Sequence, residues 1–214
     1  MSRDWRAWHE EYDDPESSLS RRLAVVRTAL RSLLDPATGP VRIVSICAGD
    51  GRDTLPVLAA SSAQVEAVLV ELDPELAGRA RSSARELGLD GVEVRVGDAG
   101  SVDAFADACP ADVFLACGVF GNVTDADVAS TVAALPSLLN HGGQVVWTRG
   151  DRVPLDPTEV EGDPSLVVRD LFRDAGFDEV AFVRPHDAGF RVGVHRWPGP
   201  PGAPAPGARL FTFV

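Results

Sequence analysis

The chain has 214 residues, of which 45% are hydrophobic and 24% are charged, and its formal net charge is −12. This length suits one substantial core and is short for two independent domains, and the composition is typical of a soluble globular protein. With no run of 18 apolar residues and no basic-then-apolar N-terminus, the sequence predicts neither a membrane span nor a signal peptide. The acidity argues against nucleic acid as a partner, because phosphates require a basic face.

The cysteines and histidines predict neither a disulfide framework nor a metal site. Cys47, Cys109 and Cys117 lack metal-ligand spacing, and the four histidines are widely scattered. Such a sparse, odd set of cysteines is typical of a reducing compartment, so a cytoplasmic location is expected.

The first 35 residues predict an aromatic segment followed by a helix. Trp8, His9 and Tyr12 lie in a segment that is too short to be a domain. Residues 17–34 then carry apolar side chains at helical spacing, which predicts an amphipathic helix.

Beyond this helix, short β-branched runs alternate with helical patterns, which is typical of βαβ units around a parallel sheet. The predicted strands are 41–46, 65–71, 92–96, 112–117 and 144–148, and the predicted helices are 55–61, 74–87, 102–109 and 125–139. Thr124 or Asp125 is expected to cap the last of these helices, and residues 140–143 are expected to form a turn after it.

The C-terminal third predicts a loop at 150–164, a helix at 165–175 and then three strand-like runs. These runs are 177–183, 190–196 and 208–214, and a Pro/Gly-rich loop at 198–207 separates the last two. Either of the last two runs can be the antiparallel strand of the sheet, because this loop permits both arrangements.

The stretch SICAGDGRD (45–53) follows the first predicted strand and predicts a ligand-binding loop. A strand, a tight glycine loop and a helix place backbone N–H groups at the carboxyl edge of a sheet, and glycine permits a close approach. Glu71 follows Gly51 by twenty residues at the end of the second predicted strand, where nucleotide-binding α/β folds hold a ribose diol. A Walker-type phosphate site would need a lysine, which the chain lacks, and a dinucleotide site favours glycine where Thr54 stands.

In this context the sequence resembles the class I S-adenosylmethionine-dependent methyltransferases over roughly residues 41–183. SICAGDG is similar to the first motif of that family, VELDPE (70–75) to the second and GDA (97–99) to the third. ADVFLACGVFGN (111–122) is similar to the fourth motif, and HGGQVVWT (141–148) resembles the turn into the fifth strand. The five motifs occur in the order and at the spacings of the family.

The resemblance implies a single domain with the α/β fold of a three-layer αβα Rossmann-like methyltransferase sandwich. Its sheet is expected to be mostly parallel and seven-stranded, in the order 3-2-1-4-5-7-6, with an antiparallel last strand. Residues 1–35 are expected to form a lid, residues 36–149 the donor-binding core, and residues 150–214 the rest of the sheet and the substrate-side loops.

The resemblance also implies S-adenosylmethionine as the methyl donor and S-adenosylhomocysteine as the product. Glu71 would bind the ribose hydroxyls, and Asp98 would accept a hydrogen bond from the adenine amino group. The expected donor-binding residues are Cys47, Ala48, Gly49, Asp50, Gly51, Asp53, Glu71, Leu72, Asp73, Gly97, Asp98, Ala99, Cys117, Gly118, Val119 and Asn122.

Two positions depart from the first motif of the family: Ser45 replaces the usual acid, and Cys47 replaces the first glycine. Asp50 and Asp53 are the nearby candidates for the donor's ammonium group, and the alternative for Asp53 is to cap its helix. The Cβ of Cys47 is tolerated if its φ is negative. Because strands one and four are neighbours in the implied sheet, Cys47 and Cys117 are expected to lie close together and to make room for the sulfonium.

The acceptor is expected over the carboxyl ends of strands four and five, with the N-terminal segment above it. The expected substrate-contacting residues are Trp8, Phe120, Thr148 and Arg149. His9 and Tyr12 are candidate catalytic residues, His9 as a general base, and the alternative for both is packing of a helix that covers the core. Arg149 or Arg52 is a candidate to hold an anionic acceptor, and the alternative is structural ion pairing.

The predicted function is transfer of a methyl group to an oxygen or nitrogen atom of a small-molecule acceptor. The donor carries the chemical activation, so the protein mainly has to position the reactants. The alternatives are a non-catalytic module that binds S-adenosylmethionine or S-adenosylhomocysteine, as a sensor or partner subunit, and a nicotinamide-dependent oxidoreductase of similar topology. The sequence does not identify the acceptor, because one fold hosts many chemistries.

Overall fold

The computed structural model describes residue 12 and residues 14–150 and 163–213, so the predictions for Trp8 and His9 lie outside the described residues. The helices are α1 (Ser18–Leu34), α2 (Leu55–Ala60), α3 (Pro74–Glu86), α4 (Asp125–Ala134) and α5 (Pro164–Asp174). The strands are β1 (Val41–Ile46), β2 (Val65–Glu71), β3 (Val92–Val96), β4 (Ala111–Ala116), β5 (Leu139–Gly150), β6 (Asp178–Val183) and β7 (Phe190–Arg196).

The strands of the described residues form one sheet in the order β3-β2-β1-β4-β5-β7-β6. Strands β1 to β5 pair in parallel, and β7 runs antiparallel to both of its neighbours, β5 and β6. The predicted fold and strand order are therefore confirmed, and residues 190–196 supply the antiparallel strand.

Two layers of helices bury the two faces of the sheet. One face packs against α1, α2 and α3, and the other packs against α4 and α5. Trp147 is the largest fully buried side chain on the second face, where it stacks on Phe172 with 6.0 Å between ring centroids. The chain leaves β1 towards β2 on one side and returns to β4 on the other, which opens a crevice at the carboxyl edge of these strands.

The predicted helix at 102–109 is wrong. The segment forms two three-residue 3₁₀ turns, Val102–Ala104 and Ala106–Ala108, on either side of Phe105, whose φ is −147°. The ring of Phe105 is fully buried and meets Phe114 edge to face at 5.7 Å between centroids. Tertiary packing of this aromatic ring therefore overrides the local helix propensity.

The predicted helix at 125–139 is shorter in the structure. Thr124, one of the two residues predicted to cap this helix, is its N-cap and accepts a hydrogen bond from the Asp127 N–H. The α-helix stops at Ala134 and a 3₁₀ turn follows at Leu135–Leu138, because Pro136 has no N–H to continue the α-helical bonding. Strand β5 begins directly afterwards, so the turn predicted at 140–143 lies inside its irregular first half.

The predicted strand at 208–214 is also wrong. The described part of this segment makes a single isolated bridge, between Arg209 and Ser101, and otherwise runs without regular structure. Its course is set by contacts with the residues that follow β3. None of the described helices is long and apolar enough to cross a membrane.

Candidate functional site

A cavity of about 290 Å³ lies at the carboxyl edge of the sheet, where β1, β2, β3 and β4 end. Among the predicted site residues it is lined by Tyr12, Cys47, Ala48, Gly49, Asp53, Glu71, Leu72, Asp73, Asp98, Ala99, Cys117 and Gly118. The structure thus brings together most of the residues that the motifs indicated. Within the described residues, no group of three or more His, Cys, Asp or Glu side chains could hold a metal ion.

The loop after β1 has three residues in the left-handed backbone region. Cys47 has a φ of 52°, Gly49 of 58° and Gly51 of 74°. At Gly51 a Cβ would also lie 2.7 Å from Leu55 Cδ1, so both conformation and space require glycine there. The condition under which the Cβ of Cys47 would be tolerated without strain, a negative φ, is therefore not met, and a non-glycine residue in this region carries a cost of about 1 kcal/mol.

Glu71 joins the loop after β1 to the loop after β2. The Gly49 N–H donates to Glu71 Oε2 over 2.8 Å, and the Asp73 N–H donates to Glu71 Oε1 over 2.9 Å. The side chain is 9% exposed and lines the cavity. Each carboxylate oxygen can accept a further hydrogen bond, so the group has capacity for two ligand hydroxyls.

The remainder of the second motif starts helix α3. Asp73 is the N-cap, and its carboxylate accepts from the N–H groups of Glu75 (2.7 Å) and Leu76 (3.2 Å), while Pro74 occupies the first helical turn. Leu72 lies between the capping residue and Glu71, and its side chain is 62% exposed at the cavity. The motif therefore places an apolar surface beside a carboxylate.

Asp98 lies at the cavity after β3 and is engaged on both oxygens. Oδ1 accepts from the Gly100 N–H over 2.9 Å, and Oδ2 accepts from Arg209 Nη2, also over 2.9 Å. Partial burial would raise the pKa of Asp98, but the bond from Arg209 and the bond from the Gly100 N–H outweigh it and lower the pKa below its usual value. Asp98 is therefore an ionised acceptor at neutral pH.

The opposite end of the cavity combines an acid, an arginine and a phenol. Asp53 accepts from the Thr54 hydroxyl over 3.0 Å, and Thr54 itself holds the N-cap position of α2, so the capping alternative for Asp53 is wrong. Burial raises the pKa of the Asp53 carboxyl. Arg22 of α1 also lines the cavity here, and its Nη2 donates to Tyr12 Oη over 2.8 Å.

Tyr12 lies between two guanidinium groups. The Arg52 guanidinium stands over its ring at 4.4 Å from the centroid, a cation–π contact, and Arg52 also forms an ion pair with Asp50. Burial raises the pKa of Tyr12 above its ordinary value, so the phenol keeps its proton at neutral pH. Structural ion pairing is thus observed for Arg52.

Both cysteines at the cavity are protonated thiols. Burial, together with the charges of Glu71 and Asp98, raises the pKa of Cys47, and burial raises the pKa of Cys117 well above its ordinary value. Because the thiolate is the nucleophilic form, these environments disfavour nucleophilic chemistry. Cys117 directs its Sγ towards the Val146 carbonyl at 3.9 Å.

Several predicted residues support the loop after β4 instead of lining the cavity. Thr148 Oγ1 accepts from the Gly118 N–H over 2.8 Å, and Asn122 Nδ2 donates to the Gly118 carbonyl over 2.6 Å. Phe120 is fully buried against Trp147, with 6.1 Å between centroids, so it lies in the core and outside the cavity lining. The described cavity lining also leaves out Asp50, Gly51, Gly97, Val119 and Arg149.

Arg149 is a buried cation at the end of β5. Its side chain is 6% exposed, and Nη2 contacts Asp125 Oδ1 at 2.6 Å. Nη1 is also buried and has no hydrogen-bond partner among the residues that the structure describes. Structural pairing therefore accounts for only one side of this guanidinium group.

Some cavity residues were not predicted. Arg22, Leu23 and Val26 come from α1, and Phe213 comes from the C-terminal end. The signal for Arg22 was available, because it lies four residues before Val26 and next to Leu23 on the predicted apolar stripe, where an arginine is unusual. Phe213 carried no such local signal.

Residues 43–143 match a protein-family model described as a methyltransferase domain. No curated protein matches the sequence significantly. At the sequence identities below, the similar solved structures show the fold alone.

Magnesium protoporphyrin IX methyltransferase (ChlM) from Synechocystis PCC 6803, with bound S-adenosylmethionine, has a TM-score of 0.67 and 14% identity over 91% of each chain. Precorrin-6y C5,15-methyltransferase from Geobacter metallireducens GS-15 has a TM-score of 0.57 and 15% identity, over 81% of this chain and 87% of that one. The [4+2]-cyclase SpnF has a TM-score of 0.60 and 16% identity, over 88% of this chain and 86% of that one. The motifs, the strand order and the family match agree on a class I S-adenosylmethionine-dependent methyltransferase domain, which is matched over residues 43–143 of this chain.

Proposed function

We propose that the protein binds S-adenosylmethionine in the cavity and transfers its methyl group to an oxygen or nitrogen atom of a small-molecule acceptor. The observation that supports this most is the pair of N–H bonds from Gly49 and Asp73 to the Glu71 carboxylate, which hold that group at the cavity beside the glycine loop. A volume of about 290 Å³ is at the lower end of the range for small-molecule sites.

The nucleoside half of the donor is assigned to the ends of β2 and β3. Glu71 has acceptor capacity for the two ribose hydroxyls, and Asp98 has an acceptor position left for the adenine amino group. Leu72 offers an apolar surface for the base at the same end of the cavity. Gly49 keeps the backbone of the first loop free of a side chain where the ligand passes.

The amino-acid half is assigned to Asp53 and Arg22. Ser45 stands at the position of the family's usual acid and is 1% exposed within β1. Another residue therefore has to bind the ammonium group of the donor. Asp53 would bind the ammonium group and Arg22 the carboxylate, because both line the cavity and carry the complementary charges. Asp50, which is paired with Arg52, then serves to fix the loop.

The bound donor supplies a methyl group that is already activated by its sulfonium. What this chain adds is positioning: the loops after β1 and β4 border the cavity with the protonated thiols of Cys47 and Cys117, which are small and uncharged. Tyr12 is assigned a hydrogen-bonding role rather than proton abstraction, because its pKa is raised. His9 remains the candidate for a general base.

The acceptor is assigned to the region above β4 and β5, with residues 1–35 as a lid. Helix α1 already contributes Leu23 and Val26 to the cavity, which supports a covering role for this segment. Trp8 and Arg149 are the proposed acceptor contacts. Arg149 Nη1 has no partner among the described residues and lies buried outside the cavity lining, and it would meet an anionic or hydrogen-bond-accepting group of the acceptor. The net charge of −12 favours a small molecule over nucleic acid.

Calorimetry tests the donor assignment directly. Titration with S-adenosylmethionine and with S-adenosylhomocysteine is expected to give saturable binding, whereas NADH is expected to give none. Absence of binding for both methyl-donor species would refute the assignment, and tight NADH binding would favour the oxidoreductase alternative.

A transfer assay separates an enzyme from a passive binding module. Incubation with labelled S-adenosylmethionine and a panel of metabolites is expected to label at least one acceptor. Binding of the donor without labelling across a broad panel would favour a sensor or partner subunit. The similarity to SpnF adds a second candidate, a reaction other than methylation on the same fold, which product analysis by mass spectrometry would detect.

A further inference from the structure

Residues 207–213, called here the C-terminal strap, run from a contact with Asp103 to the cavity, which Phe213 lines. The Gly207 N–H donates to Asp103 Oδ1 over 2.9 Å, and the Leu210 N–H donates to the Gly100 carbonyl over 2.8 Å. The strap thus runs along the residues that directly follow the third motif.

Side chains fix the strap to the core. The Thr131 hydroxyl of α4 lies 2.8 Å from the Asp127 carbonyl oxygen and 3.0 Å from the Leu210 carbonyl oxygen, so its one proton is shared between the helix and the strap. Both Leu210 and Phe211 are 1% exposed. The rings of Phe211 and Phe213 meet edge to face at 5.4 Å between centroids. Phe213 is therefore held by a buried aromatic neighbour rather than hanging free at the chain end.

Gly100 makes this close passage possible. A Cβ on Gly100 would lie 2.4 Å from the Phe211 carbonyl oxygen, a distance that real side chains do not show. The glycine that ends the GDAG sequence (97–100) thus serves the docking of the strap, which is a role that the motif by itself does not indicate.

The strap reaches the cavity at two points. Arg209 Nη2 contacts Asp98 Oδ2 at 2.9 Å, while its Nε donates to Thr212 Oγ1 over 3.0 Å. Phe213 then lines the cavity together with Asp98 and Leu72. An aromatic side chain and an ionised hydrogen-bond acceptor are therefore presented at the same end.

We infer that the C-terminal strap completes the adenine end of the donor site, with Phe213 as an aromatic contact for the base and Arg209 as the residue that holds Asp98 in place. The inference rests on the proposed function and deepens it. A purine is flat and apolar on its faces and carries hydrogen-bonding groups on its edge, and an aromatic ring beside a carboxylate matches both features. Phe213 thus contacts the adenine base directly, whereas Arg209 is a positioning residue that acts through Asp98.

The test uses two ligands that share the adenine end and differ at the other. S-adenosylhomocysteine and adenosine are titrated calorimetrically into the wild-type chain, Phe213→Ala and the control Val180→Ala. Val180 is an apolar residue, 52% exposed, on the edge strand β6 at the far side of the sheet from β1. Phe213→Ala is expected to weaken both ligands by a similar factor, about tenfold, and Val180→Ala to change neither.

A second variant reports on the other end of the cavity. Asp53→Asn is expected to weaken S-adenosylhomocysteine and to leave adenosine unchanged, because adenosine has no ammonium group. A purely structural effect of Phe213→Ala would instead accompany a large fall in melting temperature. In that case the same titrations are made with a chain that ends at Thr212, which lacks Phe213 without carrying a substitution. Phe213→Trp keeps an aromatic ring and is expected to bind both ligands like the wild-type chain.

The outcomes separate the two proposals. If the wild-type chain binds neither S-adenosylhomocysteine nor adenosine, the proposed function fails, and the inference built on it fails too. If the wild-type chain binds both, while folded Phe213→Ala and the chain ending at Thr212 bind them equally well, the role of the strap is refuted and the donor site stands.

Discussion

At the scale of single residues, Cys47 shows how a motif tolerates an unexpected side chain. The family position is glycine, and the backbone keeps the left-handed conformation that glycine favours, with a φ of 52°. The fold therefore holds cysteine in a strained state, because the neighbouring Ala48 N–H donates to the Val70 carbonyl and fixes the start of the loop.

Substitutions at Cys47 are expected to rank by backbone strain. Cys47→Gly removes the backbone strain of the left-handed conformation, so this variant should retain or raise the melting temperature and the affinity for S-adenosylhomocysteine. Cys47→Val places a β-branched residue in the same conformation and should destabilise the fold by about 1–2 kcal/mol. Denaturant unfolding measures the stability of both variants. A less stable glycine variant would show that the buried thiol contributes more than the strain removes.

Glu71 is the residue on which the donor assignment depends most. In Glu71→Gln an NH2 group replaces one of the two carboxylate oxygens. It then faces the N–H of either Gly49 or Asp73, so that N–H loses its hydrogen-bond acceptor. The expected cost is about 1–3 kcal/mol of stability, together with a loss of donor affinity of tenfold or more. Calorimetry and thermal unfolding measure the two effects.

Glu66→Gln is the matched control for Glu71→Gln. Glu66 lies on the same strand, but its side chain is 67% exposed at the opposite end. This variant is expected to bind the donor like the wild-type chain. Equal donor binding by Glu71→Gln would remove Glu71 from the site.

At the scale of elements, β7 and β5 fit together through a glycine and a tryptophan. Gly193 pairs with Trp147 in the antiparallel register, and a Cβ on Gly193 would lie 2.2–2.5 Å from indole atoms. The indole in turn donates from Nε1 to His195 Nδ1 over 3.0 Å. Strand β7 therefore has glycine at position 193, because the indole of Trp147 occupies the space that a side chain there would need.

Gly193→Ala is expected to destabilise the fold by about 1–3 kcal/mol, because the added methyl group overpacks the core against Trp147. Gly78→Ala is the control: Gly78 lies within α3, and its Cβ would meet nothing within 4 Å. There alanine should stabilise the fold by about 0.5–1 kcal/mol through helix propensity. Chemical denaturation compares the two variants, and equal effects would contradict the packing argument.

At the scale of the whole molecule, a buried histidine links stability to pH. His195 is 1% exposed between Trp147 and Phe172, and its ring lies 4.3 Å from that of Phe172. Burial lowers its pKa to about 4, with a further lowering from Arg169 and an opposing effect of Glu179. The folded state therefore resists protonation of this side chain.

Because the folded pKa of His195 lies below the unfolded value of 6.5, the unfolded chain binds the extra proton first. The stability that neutral His195 provides is full above about pH 6.5 and is lost as the pH falls towards 4, by up to about 3 kcal/mol. His195→Gln is expected to flatten this part of the pH–stability curve, measured by urea unfolding from pH 7 to pH 4. A variant curve parallel to that of the wild-type chain would exclude His195 as the cause.

Much of the molecule could be predicted from local pattern. The β-branched runs placed β1, β2 and β3 to the residue, and the spacing from the glycine loop to Glu71 anticipated their meeting at one sheet edge. These predictions worked because strand periodicity and the parallel arrangement act over short, regular stretches. The residues after β3 and at the C-terminal end were predicted wrongly, since long-range packing decides their conformation.

The sequence by itself determined the class of fold, the order of its elements and the loops that form the cavity, because these follow from hydrophobic period, turn residues and motif spacing. Only the tertiary structure decided that Arg22 enters the cavity, that Cys47 adopts a positive φ, and that Arg209 meets Asp98. These features join parts of the chain that are far apart, up to 111 residues in the last case. Such contacts form only when several packed elements place both partners at once, and no local pattern records them.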